Sequence, residues 1–342
     1  MKRSAIGAAA IALLVFGVGL SVGLSGSAPV GATAPGPNGR IAYTRFANAA
    51  FGHSDIVSAN PDGTGVVKLT QSRDGVFDQN PDWAPDGSKL AFQRDSDLGC
   101  GQACISGIYT VNANGSQLTR LTPDNSEIYS ADPAYSPDGT RIAFDRCIGP
   151  IVNDACTNEG IFVMAADGTD TIQVTFENPS SPYQDGEVQW SPDGTHFVLQ
   201  RLRFSDGSIA VFTVKVDGTG FHRLSPWQLV GEHPDWSPDG RLIVFESYGD
   251  GAPPGVSTNV FTVRPDGSHL VQVTHNEGGA VDSQNPAWSP DGKKIVFAQT
   301  PASGPFEYMD VFTMNADGSD IRQVTTSTLF DYRPDWGTAP TT

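Results

Sequence analysis

Six short polar stretches recur along the 342-residue chain, and each holds at least one acid: Asp78-Gln79-Asn80, Ala131-Asp132, Asp185-Gly186-Glu187, Glu232-His233, Asp282-Ser283-Gln284-Asn285 and Asp331-Tyr332-Arg333. Asp78, Asp185 and Asp331 stand three residues before a proline or its equivalent. Brought together, these carboxylates would form an acidic funnel for a basic peptide, a cation or a polar ligand, because a cleft of one sign concentrates the other. The competing role is local: an Asp side chain accepts hydrogen bonds from neighbouring amides and caps a turn. His233 is the one histidine of six in such a stretch. A lone imidazole among acids suits a channel-bound divalent metal, and paired acids suit glycoside chemistry. The spacing defines neither, so no metal or other cofactor is expected. Beyond the N-terminal segment there is no Gly-x-Ser-x-Gly elbow, and the chain has no HExxH pair and no phosphate-binding glycine loop.

Two further sets of side chains stand apart from these stretches. Trp227 lies outside the repeated tryptophan positions, and with Tyr248, Tyr308 and Tyr332 it could offer aromatic contacts to a protein or a sugar. Cys100 and Cys104 share one loop, and Cys147 and Cys156 share another. Four cysteines allow three pairings. Sharing a loop favours Cys100–Cys104 and Cys147–Cys156, with a four-cysteine zinc site the second choice. The CxxxC spacing is not the CxxC of redox exchange.

The elements that must position these residues are repeats. One phrase recurs as PDWAPDG (Pro81–Gly87), PAYSPDG (Pro133–Gly139), VQWSPDG (Val188–Gly194), PDWSPDG (Pro234–Gly240) and PAWSPDG (Pro286–Gly292). A short apolar strand follows each copy, then a second phrase of the type VFTVKVDG, then a short strand ending on Thr or Ser. The second-phrase glycines, Gly63, Gly115, Gly168, Gly218, Gly267 and Gly318, lie 52, 53, 50, 49 and 51 residues apart. Pro and Asp at the turn centre and Gly at positive φ make each SPDG a hairpin turn. Alternating β-branched and aromatic residues between such turns read as strands. Four strands per unit at a period near fifty read as propeller blades.

The first unit, from Asn38, lacks the Trp-bearing strand, and the C-terminal DYRPDWG (Asp331–Gly337) supplies it. The expected fold is therefore all-β: a six-bladed β-propeller of four-stranded blades over residues 35–342, closed by the C-terminal strand completing the first blade. Closure removes the exposed sheet edge. Trp83, Trp190, Trp236, Trp288 and Trp336, with Tyr135, recur at one repeat position and read as core between blades. The turn aspartates Asp86, Asp138, Asp193, Asp239 and Asp291 read as satisfying local amides. The short turns fall on one face of the disc. The long, variable loops and the six acidic stretches fall on the other, where function is expected.

These units resemble the WD-like propeller repeats of the TolB family, which also occur in prolyl-oligopeptidase-type enzymes. The signature is Pro81-x-Trp83-x-Pro85-Asp86-Gly87 and its copies, and the resemblance covers residues 38–337. It implies a periplasmic or otherwise extracytoplasmic protein that binds a protein or peptide partner at the propeller. TolB proteins carry an α/β domain before the propeller, and there is no room for one between Ala34 and Asn38. Lys2 and Arg3, the apolar run from Ala5 and the small residues of 25–36 fit a secretory signal over residues 1–34, with an uncleaved anchor as the alternative. A formal net charge of −17 argues against nucleic acid and against docking on anionic lipid. The expected function is an exported, non-catalytic, monomeric binding propeller. The alternative is a channel-metal or carboxylate-dependent lyase, lactonase or glycosidase.

Overall fold

The computed structural model describes residues 35–47, 52–96, 105–123, 128–148, 151–152, 155–156, 159–175, 181–248, 257–276, 281–300 and 308–340. The signal or anchor expected over residues 1–34 and the cysteines Cys100 and Cys104 lie outside them. The regular structure is strand; helix is confined, among the described residues, to one turn at Trp227–Leu229.

The strands form antiparallel sheets of the propeller type, and the fourth unit shows the pattern. Tyr183–Trp190 pairs with His196–Arg203, which pairs with Ser208–Lys215, which pairs with the two-residue strand His222–Arg223. The same order of inner, second, third and outer strand recurs in the units that begin at Ile128, Gly231 and Ser283. The C-terminal strand Asp331–Thr338 pairs antiparallel with Asn38–Phe46, placing Ile41 opposite Trp336 and Arg45 opposite Asp331.

The hairpin chemistry is visible at each SPDG turn. Gly87, Gly139, Gly194, Gly240 and Gly292 all have φ between 66° and 70°, where a Cβ is penalised. Asp138 Oδ1 accepts from the amide of Thr140 at 3.0 Å, and Asp193 does the same for Thr195. The turn aspartates therefore serve the local backbone.

Hydrophobic side chains pack between neighbouring sheets. Trp190 and Phe197 of the fourth unit join Ala143, Ile161 and Val174 of the third in one cluster. Ile41, Tyr43 and Trp336 join Val296, Val311 and Val324 in another. Each repeat Trp, and Tyr135, is at most 7% exposed, which places them in the core. Removing a buried aromatic of this kind costs about 3–5 kcal/mol. The space at the joints is fully used: a Cβ on Gly337 would sit 2.5 Å from the Trp83 ring.

Candidate functional site: the bulge ring and its acidic flank

Every inner strand breaks register at the same place. Slips fall between Gln79 and Asp82, Ala131 and Ala134, Gly186 and Gln189, Glu232 and Asp235, and Gln284 and Ala287. The C-terminal strand slips between Tyr332 and Asp335. The bulged residue is left-handed in each case: Asn80 (φ 54°), Asp132 (48°), Glu187 (54°), His233 (49°), Asn285 (51°) and Arg333 (51°). A non-glycine residue held there costs about 1–3 kcal/mol, and such strain gathers at functional sites. The bulge re-aims the side chain, and all six residues line one central cavity of about 110 Å³. The six polar stretches therefore lie within the inner strands, except Asp282, which immediately precedes Ser283–Trp288.

Arg333 organises the ring. Its Nη1 lies 3.0 Å from Asp132 Oδ1, and its Nη2 lies 3.3 Å from Glu187 Oε1. His233 Nε2 lies 3.1 Å from the same Glu187 oxygen, and its Nδ1 lies 3.3 Å from Glu246 Oε1. Asn80 donates from Nδ2 to Asp132 and to Gln93. Burial alone would raise the Glu187 carboxyl, but Arg333 and His233 hold it down to about 2. Burial would lower His233, but Glu187 and Glu246 raise it to about 10. Asp132 is pushed up to about 7 by burial and by Glu187, against the pull of Arg333.

Second strands brace the bulges from the preceding repeat. Asp145 Oδ2 accepts from the amide of Glu187 at 2.8 Å, and Glu246 accepts from the amide of Asn285. Deeper in the cavity, Asp82, Asp235 and Asp335 accept from the amides of Tyr135, Trp288 and Trp83 in the next repeat, at 2.7, 2.8 and 2.8 Å. Burial lifts the Asp335 carboxyl to about 6.

The remaining residues of the six stretches go elsewhere. Asp78, Asp185 and Asp331 are fully buried behind the ring. Each receives two bonds from the second-strand arginine of its own repeat: Arg94 at 2.5 and 2.7 Å, Arg201 at 2.5 and 2.7 Å, and Arg45 at 2.6 and 2.7 Å. They join strands and do not line the cavity, because their side chains fall two residues before the bulge, on the sheet interior. Asp282 accepts from the Thr258 amide at 2.7 Å, a bond to the preceding repeat and not a local turn cap. Glu232 is half-buried beside the ring and is lifted to about 7, mainly by burial.

Trp227 stacks on Tyr183 at 6.1 Å, with Arg203 4.4 Å over its ring, so its faces are occupied from within the fold. Tyr332 stacks on Phe46 at 5.6 Å and donates to Gln79. Tyr308 is half-buried, and Tyr248 is 39% exposed. Cys147 is buried, and the side chain of Cys156 lies outside the described residues.

A residue-by-residue reading of the repeats missed Glu246, Asp145 and Glu159. The first two sit where other repeats have Gln93, Gln200, Thr44 or Ala298, so a charge after the strand aromatic was the available signal. Among the described residues, no three His, Cys, Asp or Glu side chains converge closely enough to hold a metal ion.

The model of the TolB beta propeller domain matches residues 27–284 and 178–341. The chain belongs to the TolB β-propeller domain family. An uncharacterised protein of Agrobacterium fabrum is 27% identical over 257 residues, covering 73% of this chain and 75% of that protein. An uncharacterised peptidase of Bacillus subtilis, YuxL, is 25% identical, covering 69% of this chain but only 30% of the peptidase. Among solved structures, TolB from Acinetobacter baumannii superposes with a TM-score of 0.66 at 21% identity, covering 88% of this chain and 67% of that one. An oligogalacturonate lyase in complex with manganese superposes at 0.52 and 17% identity, covering 85% and 74%. At these identities the structural likenesses speak to fold alone.

Proposed function

We propose that this chain is an exported, non-catalytic propeller that binds a protein or peptide partner on its loop-bearing face, over the mouth of the bulge ring. In this reading six blades form the disc, and the C-terminal strand completes the first. Residues 1–34 direct export, and Cys100–Cys104 and Cys147–Cys156 staple the loops of the binding face. The observation that carries the reading is the bulge ring itself. Six strained positions present different side chains, Asn, Asp, Glu, His, Asn and Arg, on one repeated backbone. A backbone kept constant beneath a varied polar rim is how a rigid scaffold presents a recognition surface. The face is tested with a photo-cross-linking residue at Tyr248, beside the ring, and at Ser116, in a turn on the opposite face. A polypeptide cross-linked from Tyr248 and not from Ser116 supports the reading. Equal labelling from both overturns it.

A second reading has one specific observation behind it. Asp132 and Glu159 are both pushed up to about 7, first by burial, and carboxyls that titrate near neutrality suit proton transfer. This reading makes the chain a carboxylate-dependent enzyme on a saccharide. Turnover of an oligosaccharide, lost in Asp132→Asn, would move the assignment there.

A further inference from the structure

Beside the ring lies a second cavity, of about 310 Å³, between the inner ends of the third and fourth repeats. It sits at the loop-bearing side: Glu159 opens the third strand of its repeat, and Leu202 and Ile209 flank the hairpin between Arg203 and Ser208. Four carboxylates line it, Asp132, Asp145, Glu159 and Glu187, against the single cation of Arg333. Tyr129, Leu202 and Ile209 supply aromatic and apolar wall.

The unpaired atoms on this wall are all of one kind. Asp145 is 3% exposed, and its Oδ1 has no hydrogen-bond partner, while its Oδ2 is spent on the Glu187 amide. Gln200 Oε1 is likewise buried and unpartnered. Both are acceptors. A buried acceptor without a donor costs about 1–3 kcal/mol, so a ligand that fills this space gains by bringing N–H groups. The cavity exceeds the roughly 30 Å³ of one water about tenfold. Its carboxylates stand around the space instead of converging as a metal's donors would. Burial and mutual repulsion raise Asp132, Asp145 and Glu159, which is the state a cation would relieve.

We propose that this cavity binds a guanidinium or alkylammonium group, the basic side chain of a polypeptide seated on the loop-bearing face. Arg333 shows the same chemistry next door, its guanidinium reaching Asp132 and Glu187. A planar fork of donors matches carboxylates two at a time, and an aliphatic stem suits the wall of Leu202 and Ile209. The proposal rests on the partner-binding reading and names the chemistry of one contact within it.

The test is calorimetric titration of the purified full chain with N-acetyl-arginine amide, N-acetyl-citrulline amide and putrescine, run beside the Tyr248 cross-linking. Saturable one-to-one binding of the arginine amide, with none for the neutral citrulline amide, is expected. Glu159→Gln should weaken it by about tenfold or more, the loss of one charge-assisted contact. Gln200→Leu should weaken it without changing charge, which keeps the test open if Glu159→Gln fails to fold. Asp266→Asn, an exposed turn acid, should leave it unchanged, separating a site from the general attraction of a chain at −17. An equal loss in Asp266→Asn, equal binding of citrulline amide, or no saturation overturns the proposal. Binding of putrescine but of neither amide overturns its assignment to a polypeptide. If the amides fail while Tyr248 still cross-links a polypeptide, this inference falls and the partner-binding reading stands.

Discussion

Replacing Arg333 by methionine removes the guanidinium that reaches from the C-terminal strand to both Asp132 and Glu187. Methionine keeps an unbranched stem of comparable length, so the packing of the stem is largely retained and the change is mainly electrostatic. Asp132 loses its 3.0 Å partner, and Glu187 keeps only His233. Breaking a buried ion pair by deleting one member costs about 3–5 kcal/mol. With an unfolding entropy of about 2.1 cal/mol/K per residue over roughly 300 propeller residues, that loss lowers the melting temperature by about 5–8 °C. The loss should be largest near pH 8 and smaller near pH 5, because the stranded carboxylates can take up protons as the pH falls and a neutral acid needs no counterion. Differential scanning calorimetry of both proteins at the two pH values measures this directly. A melting temperature unchanged at both would refute the claim that Arg333 neutralises the ring. A drop of equal size at both would refute its electrostatic origin.

The other expectations concern strain, pairing and closure. Asn285→Gly should hold or raise the melting temperature, since glycine adopts φ near 51° freely, whereas Asn285→Val should lower it by an amount worth about 1–2 kcal/mol; equal effects would contradict the bulge geometry. Arg146 has Ser130 where its counterparts have Asp78, Asp185 and Asp331, and its buried Nη2 has no hydrogen-bond partner. Ser130→Asp should therefore raise thermal stability above about pH 5, by up to about 1–3 kcal/mol for a charge-assisted pair, and unchanged melts would count against it. Asp335→Ala leaves the Trp83 amide without its 2.8 Å acceptor and should cost about 1–3 kcal/mol in chemical denaturation. Deleting residues 330–342 removes the strand paired with Asn38–Phe46 and should lower the melting temperature sharply; an unaltered melt would sink ring closure.

The repeat grammar made the strands legible because turn chemistry and core aromatics recur in every unit. Pro-Asp-Gly fixes a hairpin wherever it falls, and the Trp position is buried each time. The candidate site was legible only as a region. Its six stretches contain both the bulged residues and the buried aspartates, and spacing could not separate Asn80 from Asp78. What separates them is a one-residue register slip, which flips the side chains that follow to the other face. Glu246 and Asp145 escaped because they occupy a strand position that reads as core, and only the neighbouring repeat reveals their use. Glu159 escaped because it borders a long loop whose register no repeat defines.

The central claim is that bulged side chains from separate repeats converge into one charge-paired ring, and His233 reports on it. Its ring nitrogens face Glu187 from the fourth repeat and Glu246 from its own, with Arg333 and Glu232 near. An NMR titration of the His233 imidazole measures the outcome of all these contacts at once. The imidazole is expected to stay protonated well past neutrality, toward a pKa of about 10. Its stabilising contribution would then be complete below about pH 6.5 and lost as the pH rises through the folded value. A midpoint near the ordinary 6.5, unmoved by Glu187→Gln, would contradict the assembled ring.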